Sequence, residues 1–214
     1  MRRIVPFLCV PVLASGLFWQ FPLFRIVPLD ELERGQYETA FNAADFTASF
    51  WSERLMPSLD QAADAAVVLK ALRETPDAAR DKFGRKVGVS RARLFLLRGS
   101  GTIVSVDKKG VGVSLDHNGS EPDVVLHTGL VFGNLARDAT GLLDASHFSQ
   151  SQDFNDISTA LNRVIEERVI PVLTAQSKIG RRIQFVGCAQ VPDGATDPRP
   201  LMIIPLEVHV EQPQ

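Results

Sequence analysis

The chain has 214 residues, 45% hydrophobic and 22% charged, a balance that fits a folded globular protein and excludes a disordered one. Its net charge is −2, and with Arg2 and Arg3 in an acid-free leader, residues 25–214 carry 21 basic and 25 acidic groups, net −4. That sign argues against a general nucleic-acid binder, which works by neutralising phosphates, so no nucleic acid is expected as a partner.

The leader comes first. Ile4 to Phe24 are 21 residues without a charge. As a helix they would span roughly 31 Å, about one bilayer core. Arg2 and Arg3 precede the span, and Asp30, Glu31 and Glu33 follow it. The positive-inside rule then keeps the N-terminus in the cytoplasm and exports the remainder. The expectation is a single-pass inner-membrane protein, anchored by residues 4–24, with residues 25–214 in the periplasm. A cleaved signal peptide is the competing reading, since Ala14-Ser15-Gly16 offers small residues for the cut. Cleavage there would leave LFWQFPLF exposed at the new N-terminus, which favours retention.

Residues 25–37 read as a linker. Asp45 can N-cap a helix that carries Phe46, Phe50 and Leu55 and ends at Pro57. Ser58-Leu-Asp-Gln61 is a capping-box pattern that opens a second helix. Thr75-Pro76 starts a third, closed by Phe83-Gly84. Residues 38–84 are therefore expected as a helical subdomain. Leu94 to Val106, Val111 to Leu115 and Val124 to Phe132 read as strands, the first two joined at Asp107-Lys-Lys-Gly110. Asn118-Gly119 marks the next turn. Helical spacing returns over Phe154 to Leu173, and Arg182 to Val191 and Leu201 to Val210 are the last strands. Three strands, a helix and two strands is the order of an OB-type barrel with a plugging helix, here over residues 85–214. The predicted fold class is α+β: a transmembrane helix at 1–24, a small helical subdomain, then an OB-like five-stranded barrel.

Six stretches carry a resemblance: RIVPLDE (25–31), KFGRKVG (82–88), FLLRGSGTIVSVD (95–107), VVLHTGLVFGNLARDA (124–139), FSQSQDFNDISTALN (148–162) and IGRRIQFVGCAQV (179–191). In this order they resemble a bacterial family of predicted periplasmic lipoproteins, catalogued as a domain of unknown function. The resemblance implies a small helical domain followed by an OB-like α/β domain. It also implies an association with sugar-type ABC uptake systems, and it brings no catalytic residues. In the family a lipid-bearing cysteine stands just before the Lys/Arg-Ile-Val-Pro run. Phe24 occupies that place here and Cys9 lies too early to replace it, so the apolar span is expected to serve as the anchor.

No local motif supplies a reaction. Gly99-Ser100-Gly101 is not a nucleophile elbow and reads as a bulge or barrel bend. His117, His127, His147 and His209 are scattered, with no His-x₃-His spacing and no cysteine pair, so no metal and no cofactor is expected. Cys188 reads as a buried structural thiol. Trp51 reads as core. Two polar regions stand out. Around Gly141 lie Asn134, Arg137, Asp138, Gln152, Asp153 and Asn155. They suit either recognition of a carboxylate or sugar hydroxyls, with Arg137 foremost, or an internal network that pins the loop. Between 80 and 98 lie Arg80, Lys82, Arg85, Lys86, Arg91, Arg93 and Arg98, against the single acid Asp81. Lys82, Arg85, Lys86, Arg91 and Arg93 form the candidate basic patch, facing anionic lipid or an acidic partner, or simply solvent. The expected function is a non-enzymatic binding or accessory module, with transporter subunits or a small polar ligand as partner. A hydrolase or transferase using the acids and histidine of loop 133–155 is the alternative.

Overall fold

Alternating apolar residues close five strands on one another. The structure is a computed structural model and describes residues 41–116 and 119–211. Strand β3 (Arg93–Asp107) is long enough to serve two neighbours. It aims Phe95, Leu97 and Ile103, all fully buried, into the barrel. Strand β4 (Gly110–Ser114) returns from the predicted turn, with Asp107 opposite Gly110. The Asp107 carboxylate holds that turn by accepting from the Lys109 N–H at 2.7 Å. Strand β5 (Val124–Leu126) pairs antiparallel with β4 and parallel with β7 (Leu201–Val210). Strand β6 (Arg182–Val191) pairs antiparallel with β7 and then with β3, which shuts the barrel. Gly101 sits where β3 passes from pairing with β6 to pairing with β4, and a Cβ there would meet the Ser114 carbonyl oxygen. The one register shift in β3 falls between Ile103 and Ser105, past the Gly-Ser-Gly sequence, which pairs regularly with β6.

The predicted third strand runs shorter than expected. It ends at Leu126, the His127 N–H adding one last bond to the Ile203 carbonyl of β7 at 2.9 Å before the chain turns to other partners. His127 Nε2 lies 2.9 Å from the Leu130 carbonyl, and the Val131 N–H donates to Glu166 Oε1 at 2.7 Å. The turn expected at Asn118-Gly119 falls partly on His117 and Asn118, outside the described residues.

The helices sit largely where predicted but begin differently. Helix α1 (Ala43–Phe50) is capped by Asn42, not Asp45: the Asn42 side-chain oxygen accepts from the N–H groups of Ala44 and Asp45. Pro57 does not end it. A π-helical turn, Trp51–Leu55, and a short α turn, Met56–Ser58, carry it past the proline. The N–H of Met56 reaches back to Trp51, five residues away, and this wider loop accommodates the ring that would clash with an ordinary turn. The same device recurs before Pro171. Helix α5 (Ser151–Val164) runs into a π turn, Ile165–Val169, and then α6 (Ile170–Gln176). For numbering, α2 is Ala65–Glu74, α3 is Pro76–Phe83 and α4 is Leu135–Thr140.

The Ser58-Gln61 capping box is a second correction. Ser58 Oγ donates to the Leu55 carbonyl, and 59–61 form a 3₁₀ turn. Residues Ala63–Asp64 then pair with β3 as the two-residue strand β1. Asp64 caps α2 instead, accepting from the Val67 N–H at 2.9 Å. The buried face of α2 is accordingly Ala65, Val68, Leu69 and Leu72. Val68, Leu69 and Leu72 join the barrel cluster together with Leu173 of α6. Strand β2 (Arg85–Lys86) follows α3 and also pairs with β3. These helices and the barrel fall in one compact unit beginning at Asn42.

The predicted fold class needs one further correction. Among the described residues the class is α+β with an OB-like barrel, and no helix there is long and apolar enough to cross a membrane, so the membrane-spanning helix of the predicted class has no support. The anchor expected at 1–24 and the linker at 25–37 lie outside the described residues.

Candidate recognition groove

The two polar regions meet different surroundings. In α4, Arg137 is only 5% exposed. Its Nε donates to Asp138 Oδ1 at 2.7 Å and its Nη1 to the Phe154 carbonyl at 2.9 Å. Its guanidinium lies 3.6 Å from the centre of the Phe154 ring. These contacts tie α4 to the first turn of α5. Asn162 adds a second tie by donating from Nδ2 to the Gly133 carbonyl. Gln152 donates to Asp156 along the exposed side of α5. Asn134 and Asn155 are exposed and Asp153 is half-buried. The structure thus brings Arg137 and Asp138 together and leaves the other four dispersed.

The seven bases of 80–98 sort into two groups. Arg80 pairs with Asp77 and donates to the Ala195 carbonyl. Arg91 faces Asp193 at 3.9 Å, Arg93 faces Asp81 at 3.5 Å, and Arg98 faces Asp60 at 3.6 Å. Among the described residues Lys82, Arg85 and Lys86 have no carboxylate partner within ion-pair distance. Those three line one groove of about 500 Å³. Its apolar part is Ala63, Phe83, Leu94, Leu96 and Ala139, and Gln61 and Thr140 complete the polar rim. No acid lines it.

Local folding explains the assembly. The α3 C-terminus delivers Lys82 and Phe83, with the Lys82 ammonium 4.9 Å from the Phe83 ring centre. Strand β2 delivers Arg85 and Lys86. The α4 C-terminus delivers Ala139 and Thr140, then turns at Gly141 in the left-handed region, φ 64°. The Arg85 guanidinium lies against this glycine, where a Cβ would collide with it. Arg54 secures the same turn by donating to the Leu142 carbonyl at 2.8 Å. The sequence pattern carried one usable signal for the apolar wall. Leu94-Phe95-Leu96-Leu97 is a continuous apolar run, and such a run means a strand covered on both faces. Phe95 and Leu97 face the core, and Leu94 and Leu96 face the groove.

Nothing in the alternative loop converges on a reacting centre. Asp138 is held by Arg137, and Asp144 caps a 3₁₀ turn (Ala145–His147). The backbone N–H of Ser146, followed by its side chain, lowers the Asp144 pKa below the usual carboxylate value. His147 is exposed. Cys188 is fully buried, and desolvation pushes its thiol pKa up to about 12, which suits packing and opposes nucleophilic use. Among the described residues no group of three or more His, Cys, Asp or Glu could hold a metal ion.

The closed antiparallel barrel, with its one parallel closure between β5 and β7 and its helix between β5 and β6, defines an OB-fold domain. An OB-fold protein from Thermotoga maritima has a similar solved structure, with a TM-score of 0.73 and 28% identity, covering 81% of this chain and all of that one. The chain belongs to the family described as predicted periplasmic lipoprotein (DUF2291), whose model matches residues 13–209. A periplasmic location follows from that membership. No curated protein matches the chain.

Proposed function

We propose that this protein is a non-enzymatic periplasmic binding module whose recognition site is the Lys82/Arg85/Lys86 groove and whose ligand carries an anionic group. The observation that supports this reading is the sorting of the basic stretch. Four of its bases are matched by acids, and the three that are not share one concave surface with no acid in its lining. Gathering like charges around apolar residues costs stability unless an anion answers them. A partner protein offering a carboxylate fits this groove. Transporter subunits are the partner class that the family resemblance brings, and they enter the proposal on that ground.

The test is calorimetric titration of the protein with citrate and with inorganic phosphate, in low and high salt. Binding of either anion, weakened by salt and lost in Arg85→Glu/Lys86→Glu, is the expected result. Equal binding by the wild type and the double variant, or no binding of either anion at low salt, would sink the reading.

A further inference from the structure

The outer face of the barrel carries a second concave site, and strand register builds it. Asp64 of β1 stands opposite Arg98 of β3, Arg98 opposite Val186 of β6, and Val186 opposite Glu207 of β7. The next row on the same face includes Gln184 and His209, again opposite one another. Residues opposite one another in a sheet present their side chains to one face. All six line a single cavity of about 380 Å³, and none of them lines the basic groove. Asp64 is committed to the cap of α2 through Oδ1. Arg98 donates from Nη2 to the Leu59 carbonyl and meets Asp60 through the same nitrogen, which leaves Nη1 unused. The Asp60 side chain is almost wholly exposed, so this contact cancels little of the Arg98 charge. Among the described residues the side chains of Gln184, Glu207 and His209 form no hydrogen bond or ion pair.

We infer that this cavity binds a free amino acid as its zwitterion, with the carboxylate on Arg98, the ammonium on Glu207 and the ligand's carbon atoms over Val186. Neighbouring strands lie roughly 4.8 Å apart, so Arg98 and Glu207, two strands apart, are separated by roughly 9.6 Å at their Cα atoms. They make no ion pair with each other. A molecule that bridges them carries both signs of charge a few bonds apart. Between the two stands Val186, an apolar floor only 9% exposed. The charge balance disfavours simpler ligands. Asp64 and Glu207 against Arg98 give the lining a net charge of −1, opposite in sign to the basic groove, so an anion without an amine is repelled. A neutral polyol would cover both charges and supply a counter-charge to neither. A simple cation would leave Arg98 covered and unanswered. Gln184 and His209 offer donors and acceptors beside the floor, so a polar side chain on the ligand finds partners there. The volume lies at the low end for ligand pockets and suits one amino acid rather than a peptide.

The probe is L-glutamine, titrated calorimetrically into the full-length protein in detergent. Two analogues accompany it: L-glutaminamide, which lacks the carboxylate, and N-acetyl-L-glutamine, which lacks the ammonium. Each should bind about tenfold more weakly than L-glutamine, because each loses one charge-assisted contact. Glu207 is exposed, so Glu207→Gln should fold normally. That variant should weaken L-glutamine by a similar factor and bring it level with N-acetyl-L-glutamine. NMR chemical-shift changes on binding should centre on Gln184, Val186 and His209. If either analogue binds as tightly as L-glutamine, or if Glu207→Gln binds it unchanged, the zwitterion site is wrong. No binding of L-glutamine at millimolar concentration overturns it as well. Competition by citrate would put the amino acid in the basic groove, which removes the second site and leaves the anion reading of that groove standing.

Discussion

Arg137 and Arg85 both come from the stretches richest in polar residues, and the fold treats them in opposite ways. Arg137 is buried, with one edge on Asp138, another on the Phe154 carbonyl and its face on the Phe154 ring. Arg85 is exposed, rests on a glycine and has no acid beside it. A guanidinium needs either partners or water, and here one arginine is given partners and the other water. The first holds α4 to α5. The second leaves its charge available at a concave surface. A charged side chain is thus a strut or a recognition group according to whether the fold closes its hydrogen-bond geometry, and the residue type does not decide which.

The sharpest way to break this contrast is Arg137→Ala. Asp138 is only 15% exposed and would lose its counter-charge. Loss of one partner of a buried pair should destabilise the protein by about 3–5 kcal/mol, read as a lowered denaturation midpoint in urea. Glu166→Ala comes next. It strips the acceptor from the buried Val131 N–H, and the expected loss is about 1–3 kcal/mol by the same measurement. Lys82→Ala and Lys86→Ala should each shift stability by less than about 0.5 kcal/mol while weakening citrate binding, which separates the groove from the struts. A large loss of stability in these two would erase the distinction drawn between the regions.

The smallest effect belongs to Arg199. It holds Asp197 with a bidentate contact, both bonds at 2.8 Å, and reaches Asp123 at 3.5 Å. The Asp197 pKa is lowered from 3.8, chiefly by the hydrogen bonds from Arg199. A carboxylate with a folded pKa below its unfolded value adds stability above the unfolded pKa and loses it as the pH falls through the folded one. The contribution of Asp197 is therefore present above pH 3.8 and is lost as the pH falls through its lower folded pKa. In Arg199→Met the Asp197 titration, followed by NMR, should move up to the ordinary carboxylate range. An unmoved titration would show that the pair does not form in solution.

Much of the frame was legible in the chain. β6 and β7 occupy the predicted residues, because period-two apolar patterning and β-branched side chains leave little choice. The hairpin at Asp107–Gly110 and the proline-started α3 were legible for similar local reasons. Helix starts were harder. Asn42 and Asp64 cap α1 and α2 where Asp45 and Ser58 look equally suitable, since several side chains nearby can reach a free N–H and packing selects one. The π turns before Pro57 and Pro171 were not legible either. A proline says that an ordinary turn fails there, but not whether the helix ends or widens.

By itself the sequence determined the five barrel strands, the third of them drawn too long, the long helix between β5 and β6, the membership of a periplasmic family and the presence of an unusually basic stretch, but not the two-residue strands β1 and β2. These are local or cumulative properties, set by period, turn chemistry and composition. Only the tertiary structure decided which bases are neutralised, since Arg91 meets Asp193 from about a hundred residues away and Arg85 meets the turn at Gly141. It also decided that β1 and β2 pair with β3 at successive places along the same edge. Such facts depend on where distant backbones are brought side by side, and charge pairing and strand registry take their energies from those distances alone.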